Sequence, residues 1–357
     1  MNRPELSIII PILNERQQLP ELFADLARQQ SVDFELLISD GGSADDSCTW
    51  VLEQFERGPL TGRVVSGSPG RGRQLNRGAL EATGDWLLFL HADSRFADPM
   101  ALRLALDHLQ QTGSKSVAGH FLLSFRRCSL EPSAGYYFYA WKARLGRPGT
   151  IHGDQGFLLQ QQFFARVGPF REDLPVMEDT DFAERVRRIG NWLLLPGDIS
   201  TSARRFEEEG LWQRQLLNAV LMCLRSIGYD DFFRAAPEVY RHLQTGDKLN
   251  LHPFFSLVRK LFAEQGRDER WRLWWRCGCY VRSHAWQLTF ALDAARAFRQ
   301  GLPVGRGRLR LTEWCEPLYE LLTDNPAGRL AATLLLRLWF ELTDLWLQRL
   351  ERNHTIA

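Results

Sequence analysis

In its N-terminal half the chain alternates short apolar runs with segments of helical spacing, and each apolar run ends in polar or glycine residues. Residues 6–10 are apolar apart from Ser7, which predicts a strand buried on both faces. Leu19, Leu22, Phe23 and Leu26 then recur at helical spacing within 15–30. The pattern repeats, with strands predicted at 34–39, 63–65 and 86–90 and helices at 45–56 and 73–82. Such alternation packs as an α/β fold, a mainly parallel sheet with helices on both faces. Further strands are predicted at 117–125, 157–159 and 192–195, with a helix at 179–188. From about residue 211 the spacing is helical almost throughout. A hinge at Gly246 and Asp247 would separate a catalytic domain, 1–245, from an all-α extension, 246–357.

In an open sheet of this kind ligands bind beyond the carboxyl ends of the strands. Pro11, Asn14 and Glu15 follow the first strand, and Asp40-Gly-Gly-Ser43 follows the second. Asp40 can accept hydrogen bonds from a base edge or a ribose hydroxyl, and Gly41 and Gly42 let the backbone approach a ligand. Ser43 also suits a helix cap. Gly70-Arg-Gly-Arg-Gln74 opens a helix, where Arg71 and Arg73 suit either an anion site or a solvated basic loop. His91-Ala-Asp93-Ser94 follows the fourth strand. Asp93 can hold a divalent cation on diphosphate oxygens, which needs only one or two protein carboxylates. Asp98 is the better cap for the helix that begins near Pro99. Glu178, Asp179 and Asp181 crowd the start of a helix. They complement its dipole, and they can also supply a general base whose pKa is raised by like charges. His152-Gly-Asp154-Gln155-Gly156 offers hydrogen bonds to an acceptor.

A net charge of +1 gives no global field for nucleic acid. The six cysteines show no paired C-x-x-C units, so a structural zinc site is not expected, and the pattern suits reduced thiols in the cytoplasm. Cys277 and Cys279 read as packing residues. No signal peptide opens the sequence, and the apolar stretch 330–350 carries Arg337, Glu341, Asp344 and Arg349, which argues against a spanning helix.

Taken in order, these residues resemble glycosyltransferase family 2 over 6–205, and more loosely to 244. Ser7 to Glu15 is similar to the first strand and nucleotide loop of that family, and Asp40-Gly-Gly-Ser43 to its nucleotide-binding aspartate. Leu90-His-Ala-Asp93 is similar to its metal-binding Asp-x-Asp motif, and Glu178-Asp179 to the acidic motif that carries the base. Gly70-Arg-Gly-Arg-Gln74, Gly153-Asp-Gln-Gly156 and Ser202-Ala-Arg-Arg205 resemble a bacterial branch associated with radical-SAM and selenoprotein-type domains. The resemblance implies the GT-A fold and a non-processive, inverting transfer from a nucleotide-diphosphate sugar, with UDP favoured by family frequency. Asp40, with Pro11, Asn14 and Glu15, would hold the nucleotide. Asp93 would hold Mg2+ or Mn2+ on the diphosphate. Asp179 would deprotonate the acceptor beside Glu178, while Asp154, Gln155, Arg204 and Arg205 would line the acceptor or the leaving group. His91 stands where many members carry a first aspartate, which removes a carboxylate from the metal site. The Gln-x-x-Arg-Trp signature of processive synthases is absent.

Two alternatives remain. A sugar-phosphate nucleotidyltransferase would carry its glycine-rich loop directly after the first strand, where Pro11 to Glu15 stands instead. An inactive nucleotide-sugar-binding protein would have shed the carboxylates that serve only chemistry, yet Asp93 and Asp179 are both present.

Past residue 245 the chain is rich in tryptophan, with Trp271, Trp274, Trp275, Trp286, Trp314, Trp339 and Trp346, and arginines interleave with the first of these. That composition fits an ordinary helical core, or a membrane interface with a lipid-linked acceptor. Residues 330–350 show a narrow polar stripe at Thr333, Arg337, Glu341, Asp344 and Gln348 on an otherwise apolar helix. Such a helix needs wide burial by its own domain, by a second subunit in a homodimer, or by peripheral contact with a membrane.

Overall fold

The computed structural model describes residues 3–241 and 248–356. The hinge expected at Gly246 and Asp247 lies outside the described residues. By packing, the chain divides into two units, Met1–Leu130 with Tyr139–Ala203, and Glu131–Phe138 with Arg204–Ala357.

The first unit is built on an eight-stranded sheet. Its strands are β1 (Leu6–Ile12), β2 (Phe34–Asp40), β3 (Gly62–Ser66), β4 (Trp86–Phe89), β5 (Arg95–Phe96), β6 (Val117–Arg126), β7 (Phe157–Gln160) and β8 (Asn191–Ser202), in the order β3-β2-β1-β4-β7-β6-β8-β5. β1 runs parallel to β2 and β4, and β2 parallel to β3, as the alternation predicts. Beyond β4 the sheet is mixed: β7 lies antiparallel between β4 and β6, and β5 pairs antiparallel with β8. The two-residue period of a strand records which face a side chain takes but not the direction of the strand. Direction is set by the connection, and the segment leading into β7 has no simple crossover helix.

Helices α1 (Leu19–Ala27), α2 (Ser47–Arg57) and α4 (Ala101–Gln111) cover one face of the sheet, meeting Leu6, Ile8, Ile10, Leu88 and Leu90. On the other face α3 (Arg71–Glu81), α6 (Gln161–Val167) and α7 (Glu178–Ile189) meet Ile9, Leu37, Leu87 and Phe89. Alternate residues of β1 and β4 therefore feed separate cores, which is why both strands read as unbroken apolar runs. Ser7 is the exception and is fully buried; its hydroxyl donates to Glu35 Oε1 at 2.7 Å and accepts from the Gly84 N–H at 2.8 Å. Pro11 lies past Ile9↔Phe89, the last register pair with β4, so its missing N–H costs the ladder nothing on that side. Helix α5 (Ala134–Lys142) contributes residues to both units.

The second unit is helical: α8 (Arg204–Glu209), α9 (Leu211–Ser226), α10 (Asp230–Arg241), α11 (His252–Ala263), α12 (Arg267–Ser283), α13 (Trp286–Arg299), α14 (Arg310–Thr323) and α15 (Pro326–Ile356). Phe232, Phe233, Phe254, Phe255 and Phe290 are its largest fully buried side chains. Trp274 and Trp286 join this core, as the packing reading expects, whereas Trp314 is 82% exposed. None of the six cysteines forms a disulfide, and Cys277 is buried as a packing residue. On α15 two residues of the polar stripe, Thr333 and Asp344, are fully buried and Arg337 is exposed, while most of the leucines face out. No described helix is long and apolar enough to cross a membrane.

Candidate active site

The carboxyl ends of β1 and β2 form one half of the site. Asn14 adopts φ 59°, a left-handed conformation that asparagine tolerates better than most residues. Its N–H donates to Ser43 Oγ at 2.9 Å, and its Oδ1 accepts from the Ala44 N–H at 2.8 Å, tying the two strand-end loops together. The Glu15 N–H donates to Ser47 Oγ at 3.1 Å. Asp40 is buried. Its carboxylate accepts from the Gly42 N–H at 2.9 Å and from the Ser43 N–H and hydroxyl at 3.0 and 2.6 Å. Burial acts to raise the Asp40 pKa, but these hydrogen bonds outweigh it and hold the carboxyl below its usual range. Asp40 therefore stays charged, and Ser43 acts on its loop rather than as a simple cap.

Helix α3 joins this half to a second. Gln74 is buried beneath the first half, where its amide donates to the Ile12 and Ser39 carbonyls at 2.7 and 2.8 Å. Arg77 donates to the Asp40 carbonyl at 2.7 Å. One turn earlier, Arg71 lies among Glu178, Asp179, Asp93 and Asp154, whose charges outweigh desolvation and raise its pKa. Residues 71, 74 and 77 recur at a helical i, i+3 interval, so one face of α3 serves both halves. Arg73 stands apart, half exposed, with its Nε 4.0 Å from Glu172. Replacing Gln74 with Leu strips two buried strand-end carbonyls of their donor. The loss expected in urea unfolding is on the order of 2–4 kcal/mol, with the m-value unchanged.

The second half gathers at the ends of β4 and β8, around a 3-10 turn, Gly153–Gln155, and at the start of α7. Asp93 Oδ2 accepts from the Thr201 hydroxyl and the Ser202 N–H, both at 3.0 Å, and its backbone carbonyl accepts from Arg126 at 2.7 Å. Asp179 accepts from the Gly153 N–H at 2.8 Å and the Thr180 N–H at 2.7 Å. Burial would raise its pKa, but His152, the Gly153 N–H, Arg71 and His91 together hold it low, so Asp179 is ionised. Its neighbours shift the other way. Burial, then the charges of Asp179 and Asp93, push Asp154 up to about 7. Burial, then Asp179, push Glu178 up to about 7, although Arg71 Nε lies 3.7 Å away. Asp154 Oδ1 and Glu178 Oε1 are both buried without a hydrogen-bond partner among the described residues. Like charges at close quarters cannot all ionise, and here the cluster resolves into one committed carboxylate and two that hold protons near neutrality.

Two backbone features hold this geometry. Met177 adopts φ 67°, uncommon for an unbranched residue, and turns the chain so that Glu178 and Asp179 open α7. Gly153 sits where a Cβ would come within 2.9 Å of His91 Nε2 and 3.1 Å of Asp179 Oδ2. Burial and the Arg71 charge push His91 down to about 4, so its imidazole is neutral at pH 7. Gln155 is fully buried and donates to the Thr150 carbonyl at 2.9 Å, which makes it a support for the turn. The following helix begins at Ala101, not near Pro99, and has no side-chain cap; Asp98 accepts from the Met100 N–H at 2.8 Å in the turn that precedes it. Arg204 and Arg205 open α8, in the second unit.

Comparison with known proteins agrees with this arrangement. The family model "Glycosyl transferase family 2" matches residues 7–162. A PGL/p-HBAD biosynthesis glycosyltransferase of Mycobacterium bovis is 31% identical over 186 residues, covering 51% of this chain and 69% of that protein. The chain belongs to glycosyltransferase family 2. An uncharacterized glycosyltransferase of Haemophilus influenzae is 27% identical over 185 residues, 50% of this chain and 60% of its own. A mannosyltransferase from Pyrobaculum calidifontis, solved with GDP-Man and Mn2+, superposes with a TM-score of 0.50 at 18% identity, covering 97% of this chain and 88% of that one. The mixed sheet with helices on both faces is accordingly the GT-A fold, and the protein is a glycosyltransferase.

The motif reading did not assign the residues that hold the motifs in place. Gln74 and His152 stand inside segments already singled out, Thr180 directly follows Glu178-Asp179 and Thr201 directly precedes Ser202-Ala-Arg-Arg205, yet none was read as a support, and Arg126 carried no signature at all.

Proposed function

We propose that this glycosyltransferase moves a sugar, with inversion, from a nucleoside-diphosphate sugar to a hydroxyl of its acceptor. The observation that carries the reading is the acidic cluster at the ends of β4, β8 and α7, where Asp179 accepts from the Gly153 and Thr180 N–H groups and is held low while Asp154 and Glu178 are pushed up. The nucleoside would lie over the β1 and β2 ends, with Asp40 accepting from base or ribose and Asn14 and Glu15 framing the pocket. The diphosphate would lie between that pocket and Asp93, near the N-terminus of α3 and Arg71, where backbone N–H groups and a guanidinium favour phosphate. Asp179 would take the proton from the acceptor hydroxyl as it attacks the anomeric carbon from the face opposite the diphosphate. Asp154, which holds a proton near neutrality, can donate a hydrogen bond to a sugar hydroxyl, and Glu178 anchors Arg71.

The residues fit a divalent cation. Both hydrogen bonds to the Asp93 carboxylate fall on Oδ2, leaving Oδ1 for a ligand, and the neutral His91 imidazole stands in the same turn. Among the described residues no three ligating side chains converge, so phosphate oxygens would complete the shell, as magnesium and manganese commonly require. Bound there, the ion would neutralise charge on the leaving diphosphate.

A thermal-shift series of nucleoside diphosphates with and without manganese tests this, using wild type and Asp93→Asn, which keeps the size of the side chain. One nucleotide should raise Tm by several degrees only with metal, since saturation at about 100 Kd adds about 2.7 kcal/mol. Asp93→Asn should lose the shift. Absence of any nucleotide shift in the folded wild type, or an equal shift in Asp93→Asn, would overturn the assignment.

A further inference from the structure

The turn that carries Asp93 is held by its backbone and by its side chain, from different elements. The carbonyls of Ala92, Asp93 and Ser94 all accept from arginines. Arg95 Nη1 donates to Ala92 and Ser94 at 3.2 and 2.8 Å, and Arg126 Nη2 donates to Asp93 at 2.7 Å. Arg95 is buried and tied to the start of α1, donating to the Gln18 carbonyl at 2.8 Å and to Glu21 at 2.9 Å. With its other terminal nitrogen Arg126 reaches β8, donating to the Ser200 carbonyl at 2.7 Å and the Ser200 hydroxyl at 3.0 Å. A guanidinium presents its donors in a rigid fork, so Arg126 fixes the turn and the strand relative to one another.

The end of β8 then acts on the carboxylate itself. β8 keeps register with β6 up to the pair Arg126↔Ser202. There the Thr201 hydroxyl and the Ser202 N–H donate to the same oxygen, Asp93 Oδ2, both at 3.0 Å. A carboxylate oxygen offers roughly two acceptor positions, so Oδ2 is filled and Oδ1 is the oxygen open to a cation. Thr201 is buried, and its branched side chain is stiff about χ1, so the hydroxyl is aimed before any ligand arrives. The carboxylate can rotate only by giving up both bonds at once.

We infer that Thr201 is a positioning residue for the divalent cation: on a turn held by Arg95 and Arg126, its hydroxyl orients Asp93 so that Oδ1 meets the ion. The inference rests on the reading of Asp93 as the carboxylate that holds the cation. Mn2+ bound to the full chain, measured by electron paramagnetic resonance with UDP and in parallel with GDP against protein-free mixtures, tests it. Thr201→Val keeps the branched shape and removes the donor, whereas Thr201→Ser keeps the donor. Hydrogen-bond partners of a metal-binding side chain typically set affinity by about 10–100-fold, so Thr201→Val should raise the Mn2+ Kd by that factor. Thr201→Ser should stay within a few-fold of wild type. Circular dichroism establishes that each variant is folded, and Thr201→Ala replaces Thr201→Val if the valine does not fold. A Thr201→Val protein with a lowered Tm but an unchanged Mn2+ Kd would show a purely structural bond and overturn the proposal. Equal weakening in Thr201→Val and Thr201→Ser would overturn it too, since the hydroxyl would then not be the cause. Mn2+ binding that Asp93→Asn abolishes and Thr201→Val leaves intact would sink this inference alone. Absence of nucleotide-dependent Mn2+ binding in the wild type would sink the Asp93 reading with it.

Discussion

Asp179→Asn should lower kcat by about 10²–10⁴-fold while leaving nucleotide affinity within a few-fold, because it removes the charge that accepts the acceptor's proton and keeps the side chain's shape. The Gly153 and Thr180 N–H groups donate to different oxygens of the carboxylate, so the amide oxygen can keep only one of the two bonds, and Tm should fall by a few degrees at most while the fold is retained. Water can stand in as acceptor, and release of nucleoside diphosphate gives the rate. The pH profile separates Asp179 from its neighbour. A base held low, like Asp179, stays competent well below pH 7, whereas Asp154 in that role would impose an acid limb near its pKa of about 7. A large loss in Asp154→Asn, with Asp179→Asn near wild type, would reverse the two roles.

The second large effect is on stability. Glu178 is 2% exposed, and burial with the Asp179 charge raises its pKa from 4.5 to about 7. Between those values the folded protein keeps a proton that the unfolded chain has lost. Stability therefore falls as pH rises through this window, and the loss is complete above about pH 7. At roughly 1.4 kcal/mol per pKa unit, the penalty is on the order of 3 kcal/mol. Glu178→Gln should consequently raise Tm by several degrees at pH 8 and leave it nearly unchanged at pH 4. A difference between the two proteins that does not vary with pH would show Glu178 ionising normally beside Arg71. If the proposed roles hold, such strain at the acidic cluster is stability given up for chemistry.

The parallel part of the sheet was legible because β1, β2 and β4 bury both faces, and such strands leave unbroken apolar runs. The short β5 was not, and of β7 the strand was legible but its antiparallel direction was not. Arg95 and Phe96 are too few to show a period, and the direction of β7 leaves no local trace. The strand-end acids were legible for a related reason: a carboxylate directly after a buried strand stands out against its surroundings. The residues that orient them did not stand out. Gln74 ends a segment that the sequence singles out, but its role as a support shows only when α3 is laid across the ends of β1 and β2, and Thr201 reads as an ordinary strand residue until β8 reaches Asp93.

Local sequence determined which residues lie at strand ends, which helices are amphipathic and which carboxylates are available, because each follows from the period and side-chain chemistry of a few neighbouring residues. Tertiary structure alone decided that Asp179 is held low while Asp154 and Glu178 are pushed up, and that α15 buries Asp344 and exposes most of its leucines. A pKa depends on desolvation and on charges brought from elsewhere in the chain, and a helix's inner face is chosen by the partners that meet it. Here Arg259 and His252, far from α15 in sequence, meet Asp344 on its inner face.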